Sequence, residues 1–190
     1  DTQGPAGTTV EAGLVPNTYH VCWPLPEPQP LVSLLIPTRD RKTITELAVR
    51  SILDKTTYPH YEILILDNGS VEPETLAWFA DVQAEDARVK VLRYDHPFNY
   101  SAINNFAVAQ ARGEIIGLVN NDIEVISADW MEEMVAHAMR PDVGAVGAML
   151  YYPDDTIQHA GVLVGLCGVA GHVGSRHPRG SQGYFGRMLL

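Results

Sequence analysis

The chain has 190 residues, 46% hydrophobic and 19% charged, the composition of a folded globular protein and not of a disordered or fibrous one. Thirteen Lys and Arg stand against 23 Asp and Glu, a net charge of −10, which argues against nucleic acid as the main partner and against an anionic membrane surface. An anionic ligand would have to be held by something other than bulk charge, and a divalent cation is the natural candidate.

Residues 1–30 form a Gly/Pro/Thr-rich lead in which Pro24, Pro26, Pro28 and Pro30 alternate with other residues. Such a run is extended and enters neither a helix nor a central strand. It reads as a linker or surface strap ahead of a domain over 31–190. From Leu31 the pattern changes. The apolar run 31–36, stopped by Pro37, suits a strand buried on both faces, as in parallel sheets. Ile44, Leu47, Ala48, Ile52 and Leu53 form a helical stripe over 43–55. A second strand over 61–66 ends in the turn residues Asp67, Asn68, Gly69 and Ser70. Then come a helix over 73–84 with proline in its first turn, a third strand over 89–93, and a helix over 100–112 closed by Gly113. A fourth strand over 114–119 leads into Asn120, Asn121 and Asp122. A helix capped by Ser127 runs to about 139, stopped by Pro141, and 143–150 reads as a fifth strand. Beyond Tyr151 a further strand over 157–166 and a glycine-rich tail are expected, with Asp154 and Asp155 in a hairpin turn.

Strands alternating with helices mean βαβ units and a largely parallel sheet. Ligands of such sheets bind beyond the carboxyl ends of the strands. The residues there are polar: Thr38, Arg39 and Asp40; Asp67 to Ser70; Asp95 to Asn99; Asn120 to Asp122. Asp122, delivered by a buried strand, suits Mg²⁺ or Mn²⁺, which take few protein oxygens and leave positions for phosphate. An Asn/Asp turn capping its own backbone is the competing reading. Asp67 is either an acceptor for a nucleobase N–H or an Asx turn, and Arg39 pairs either with phosphate or with Asp40. Neither GxGxxG nor GxxxxGK[ST] follows the first strand, so dinucleotide and P-loop sites lose their support. Cys22 and Cys167 lie far apart with no CxxC, which signals neither a zinc site nor a disulfide framework. His159, His172 and His177 read as part of a flexible Gly/His tail, with metal or phosphate binding as the alternative. The longest uncharged stretch, 160–171, is too short for a bilayer, which needs about 20 apolar residues. No basic-then-apolar leader is seen, so a cytoplasmic location is expected, with peripheral attachment to the inner membrane face only through other parts of a longer protein.

Four segments in register carry a resemblance: 32–40 (VSLLIPTRD), 62–70 (EILILDNGS), 99–105 (NYSAINN) leading to 111–114 (ARGE), and 118–125 (LVNNDIEV). Together they resemble the family 2 glycosyltransferases of the GT-A, Rossmann-like fold, over about 31–186. The resemblance implies a mostly parallel sheet with helices on both faces, and transfer of a sugar, with inversion, from a UDP- or dTDP-type sugar to a glycan or lipid-linked acceptor. It places Pro37, Thr38 and Arg39 along the nucleotide, Asp67 at the base and Asn104 near the nucleotide-sugar. Asn120, Asn121 and Asp122 fall on the family's DxD element, with Asp122 on the metal. Asn120 replaces the first acid. The resemblance puts the catalytic base after the DxD element, in the acceptor half, and no convincing candidate precedes Leu190. The alternative is a non-catalytic nucleotide- or glycan-binding module.

Overall fold

The computed structural model describes residues 6–13, 16–165 and 168–183. Cys167 and the apolar run at 188–190 lie outside the described residues. Two compact units are distinguished, 25–135 and 1–24 together with 136–190.

In the lead, β1 (Thr9–Ala12) and β2 (Tyr19–Cys22) pair as an antiparallel hairpin. Then follow β3 (Val32–Thr38), α1 (Lys42–Lys55), β4 (Tyr61–Asp67), α2 (Pro73–Glu85), β5 (Val89–Arg93), α3 (Tyr100–Val108), β6 (Ile115–Leu118) and α4 (Trp130–Ala138). β3 to β6 form one parallel four-stranded sheet in the order β5-β4-β3-β6. Strand order reverses at β3: β4 lies on one side of it and β6 on the other.

The two central strands are buried along nearly their whole length, which explains their continuous apolar sequence. Alternate side chains serve opposite faces. Leu34, Ile36, Ile63 and Ile65 meet Val49 and Ile52 of α1, Trp78, Phe79 and Val82 of α2, and Met131 and Val135 of α4. Leu35, Leu64 and Leu66 meet Ile103 and Ala107 of α3 on the other face. Helices thus cover both faces, as the sequence pattern implies.

One buried charge crosses this core. Glu62 is 1% exposed. Its carboxylate accepts from Ser33 Oγ at 2.8 Å, from the Arg112 backbone N–H at 2.8 Å and from Arg112 Nε at 2.7 Å. Ser33 Oγ in turn accepts from the Gly113 N–H at 2.9 Å. Burial raises the Glu62 pKa, but the Arg112 and Ser33 donors outweigh it and hold the carboxyl below its ordinary range. The network ties β3 and β4 to the turn entering β6. That turn requires glycine: a Cβ on Gly113 would lie 2.6 Å from the Ser33 backbone nitrogen.

The unit of 1–24 and 136–190 departs from expectation. Residues 143–149 are not in a strand. Only β7 (Leu150–Tyr151) forms, paired antiparallel with β8 (Ile157–His159). Gly144, Ala145, Gly147 and Ala148 are exposed and offer little side-chain area to bury, so a fifth parallel strand has nothing to hold it. Asp154 and Asp155 do sit in the connection between β7 and β8, with Asp155 at φ +60°. The expected strand over 157–166 is broken at Gly161, and β9 (Val162–Val164) pairs instead with β10 (Ala170–His172).

Candidate active site

The carboxyl ends of β3, β4 and β6 open into a cavity of about 350 Å³, lined by Pro37, Thr38, Arg39, Arg41, Asn68, Phe98, Tyr100, Asn120 and Asn121. It lies where strand order reverses, because residues after β3 and residues after β6 form its opposing walls.

The β3 wall is shaped by an unusual backbone. Asp40 and Arg41 are both left-handed, at φ +53° and +56°. Non-glycine residues adopt this conformation only where surroundings impose it. Here Asp40 supplies the constraint. Its Oδ1 accepts the N–H groups of Val71 and Glu72, at 2.8 and 2.9 Å, and its own N–H donates to Ser70 Oγ at 2.7 Å. The Glu72 and Val71 N–H groups hold its carboxyl below the usual range. Asp40 is thus committed to the start of α2. Neither Arg39 nor Arg41 is held in an ion pair among the described residues. Of the two readings of Arg39, pairing with Asp40 is therefore not the arrangement found. α1 begins beside these guanidiniums with no side-chain cap and no acidic residue in its first turn. Its unsatisfied N–H groups and dipole add to the local positive field.

The floor is hydroxyl and amide. Thr38 Oγ1 and Thr45 Oγ1 are 2.9 Å apart, and Asn121 Nδ2 donates to Thr38 Oγ1 at 3.0 Å. Asn121 is therefore anchored across β3 and fixes the turn that carries Asn120 and Asp122. The third wall is aromatic. Phe98 and Tyr100 are 66% and 46% exposed, large apolar faces presented to the opening. Asn99 holds this corner by accepting the Ala102 N–H at the start of α3.

Asp67 and Asn104 do not line the cavity. Asp67 is 2% exposed; its Oδ1 accepts the Ser70 N–H and its Oδ2 pairs with Arg93 Nη1 at 2.6 Å. The Asp67 carboxylate closes its own turn, accepting three residues on rather than the two of an Asx turn, with Gly69 at φ +79°. Asn68, next in sequence, does reach the cavity, steadied by donation from Nδ2 to the backbone oxygens of Tyr94 and His96. Asn104 donates from Nδ2 to the Tyr100 oxygen, while its buried Oδ1 has no partner among the described residues. A buried acceptor left unpaired costs about 1–3 kcal/mol and calls for a ligand or water. Asp122 is exposed, two positions beyond cavity-lining Asn120.

The sequence profile of Glycosyl transferase family 2 matches residues 33–162, a span that contains the cavity and all of the four-stranded sheet but Val32. The chain belongs to glycosyltransferase family 2. It is 55% identical to the uncharacterized protein y4gI of Sinorhizobium fredii over 95% of this chain, and 47% identical to the O-antigen biosynthesis protein RfbC of Myxococcus xanthus over 87% of it. Those alignments cover 20% and 13% of the two relatives, so the chain spans a small part of each. Among solved structures it is similar to the mannosyltransferase PcManGT from Pyrobaculum calidifontis, determined with GDP-Man and Mn²⁺, at TM-score 0.59 and 21% identity, over 70% of this chain and 40% of that one. That likeness shows the GT-A fold. No helix among the described residues is long and apolar enough to cross a membrane.

In this family 2 chain the donors available to a divalent cation after β6 are hard oxygens: the exposed Asp122 carboxylate and the neighbouring Asn120 amide. That set fits Mg²⁺ or Mn²⁺, ions that complete their coordination with water and phosphate oxygens. Arg41, Asn68, Phe98 and Tyr100 are cavity residues that the sequence pattern did not single out as site residues. The signal was partly there, since Phe98 follows the third strand and Asn68 the second, but only the left-handed turn at 40–41 brings Arg41 round to the opening.

Proposed function

We propose that the cavity binds the nucleoside diphosphate portion of a nucleotide-sugar, and that the longer protein transfers the sugar, with inversion, to a hydroxyl of a glycan or lipid-linked acceptor. The observation that carries this reading is the pair of guanidiniums, Arg39 and Arg41, in no ion pair among the described residues and placed at the reversal point of a sheet in a chain of net charge −10. Cations left without partners beside an uncapped helix start suit a diphosphate.

In this reading Phe98 and Tyr100 offer their faces to a base or sugar ring, and Pro37 and Thr38 border the ribose. Asn68 presents its amide to the cavity, and Asp67 acts from behind by locking the 67–70 turn and Arg93. Asn104 offers its unpaired oxygen near Tyr100. Asn120 reaches ribose hydroxyls, Asn121 holds the turn, and Asp122 is the protein ligand of the cation. A bound Mg²⁺ or Mn²⁺ supplies charge neutralisation to the diphosphate. The chain's own part is to bind and orient the donor and to shield it from bulk water on the aromatic side. Deprotonation of the acceptor is assigned to no residue of this chain. The donor-binding domain is proposed to begin at about residue 31, one residue before β3.

Titration calorimetry with UDP, dTDP and GDP, each with and without Mn²⁺, tests the assignment. Metal-enhanced binding that is lost in Asp122→Ala supports it, while binding indifferent to metal and to that substitution refutes the cation site. Asn120 in place of an acid favours a second reading, a non-catalytic binding module. A longer form of the protein that binds donor yet never hydrolyses or transfers it would establish that reading.

A further inference from the structure

The β1–β2 hairpin carries a constellation unrelated to the cavity. Glu11 and His20 are directly opposed across the two strands, and Cys22 lies two residues beyond His20, on the same face. One ligand atom from each, a carboxylate oxygen, an imidazole nitrogen and the thiol sulfur, lie within 4.8 Å of one another. Cys22 Sγ is 3.5 Å from His20 Nδ1. With Zn–S of about 2.3 Å and Zn–N of about 2.0–2.1 Å, the sulfur-to-nitrogen edge of a tetrahedral zinc site is about 3.6 Å. The pair already has that spacing, and a Glu11 carboxylate oxygen lies within 4.8 Å of both.

We propose that Glu11, His20 and Cys22 form a Zn²⁺ site that clips the hairpin together. The donor chemistry selects the ion: thiolate and imidazole favour a borderline-soft cation of the zinc type, and three protein ligands leave a fourth position for water. The hairpin has use for such a clip. Its strands are four residues each, Val10 and Tyr19 on its other face are 61% and 76% exposed, and a two-stranded ribbon with so little packing is marginal in water. Coordination joins β1 to β2 through side chains on both, and the free energy of binding becomes stability of the pairing. Binding also displaces the Cys22 thiol proton, so affinity rises with pH.

The test is Co²⁺ titration of the tag-free 190-residue chain, read by the thiolate-to-cobalt absorption band and reversed by Zn²⁺. The expected result is one equivalent bound, with the band absent in Cys22→Ser, retained in Cys167→Ser, and affinity lowered at least tenfold in His20→Ala and in Glu11→Gln. Far-UV circular dichroism shows that each variant keeps its fold. In the unaltered protein, stoichiometric Zn²⁺ should shield Cys22 from a thiol reagent, located by peptide mass, and release a proton on binding. No thiolate band, a band that survives Cys22→Ser, or affinity unchanged in both His20→Ala and Glu11→Gln overturns the site. Because the readouts are spectroscopic and lie on the hairpin, they are independent of whether the cavity binds nucleotide.

Discussion

Replacing Glu62 with Gln removes a buried charge while leaving shape and volume almost unchanged. The carboxylate accepts from Ser33 and from three nitrogens of Arg112, the closest at 2.6 Å. Gln keeps one acceptor oxygen, which can still serve both Ser33 and the Arg112 backbone N–H, since both donate to the same Glu62 oxygen. Its NH₂ turns a donor towards the guanidinium, so about two charge-assisted bonds are lost, at about 1.5–3 kcal/mol each. The Arg112 side chain is 58% exposed, and water takes up part of that loss. The expected destabilisation is about 2–3 kcal/mol near neutral pH, or about 4–12 °C in Tm for a chain of this size. The pH dependence has a definite sign. The folded-state pKa of Glu62 is lowered, so its contribution is complete above the unfolded carboxyl value, about 4.3, and is lost as pH falls through the lower folded value. Urea denaturation of both proteins from pH 7 down to pH 3 should therefore show a gap that narrows in acid. A difference under about 0.5 kcal/mol at pH 7, or a gap that stays constant down to pH 3, would refute the claim that this carboxylate organises the sheet.

Other predictions concern backbone clearance, donor affinity and the histidine pair. Gly113→Ala places a Cβ 2.6 Å from a backbone nitrogen and 2.7 Å from the Leu31 oxygen, atoms that cannot move aside, and should yield little folded protein by thermal melting. Gly117→Ala meets the end of the Leu34 side chain at 2.6 Å, which can rotate, so its cost should be smaller, about 1–3 kcal/mol. Arg41→Ala should weaken nucleoside diphosphate binding about tenfold and flatten its salt dependence while leaving Tm nearly unchanged; calorimetry at two ionic strengths checks this. His159 Nδ1 lies 2.7 Å from His172 Nδ1, and burial followed by the charge of His172 pushes the His159 pKa down. A group so shifted stabilises the fold above its unfolded value near 6.5, and that contribution fades as pH falls below it. His159→Gln should remove this loss of stability below about pH 6.5 in a denaturation series.

The parallel sheet was legible in the sequence because burial on both faces leaves a plain mark. The runs at 31–36 and 61–66 are apolar at nearly every position, and only a strand covered on both sides needs that. The turn after β4 was equally plain, since Asp67, Asn68, Gly69 and Ser70 are each chosen by backbone geometry. The loops that line the cavity follow from strand ends, which is why Thr38, Arg39, Asn120 and Asn121, read from those ends, line it. What side chains do at such ends is another matter. Asp67 and Asn68 are neighbours with similar turn chemistry, and only the pairing of Asp67 with Arg93, 26 positions away, decides which one faces the opening. Arg41 depended on a left-handed backbone imposed from across the chain by Val71, Glu72 and Ser70. Periodicity reports how much of an element is buried and on which side. It carries no information about contacts made by residues distant in sequence, and the Glu62 network, the reversal of strand order at β3 and the meeting of Glu11 with His20 and Cys22 are all contacts of that kind.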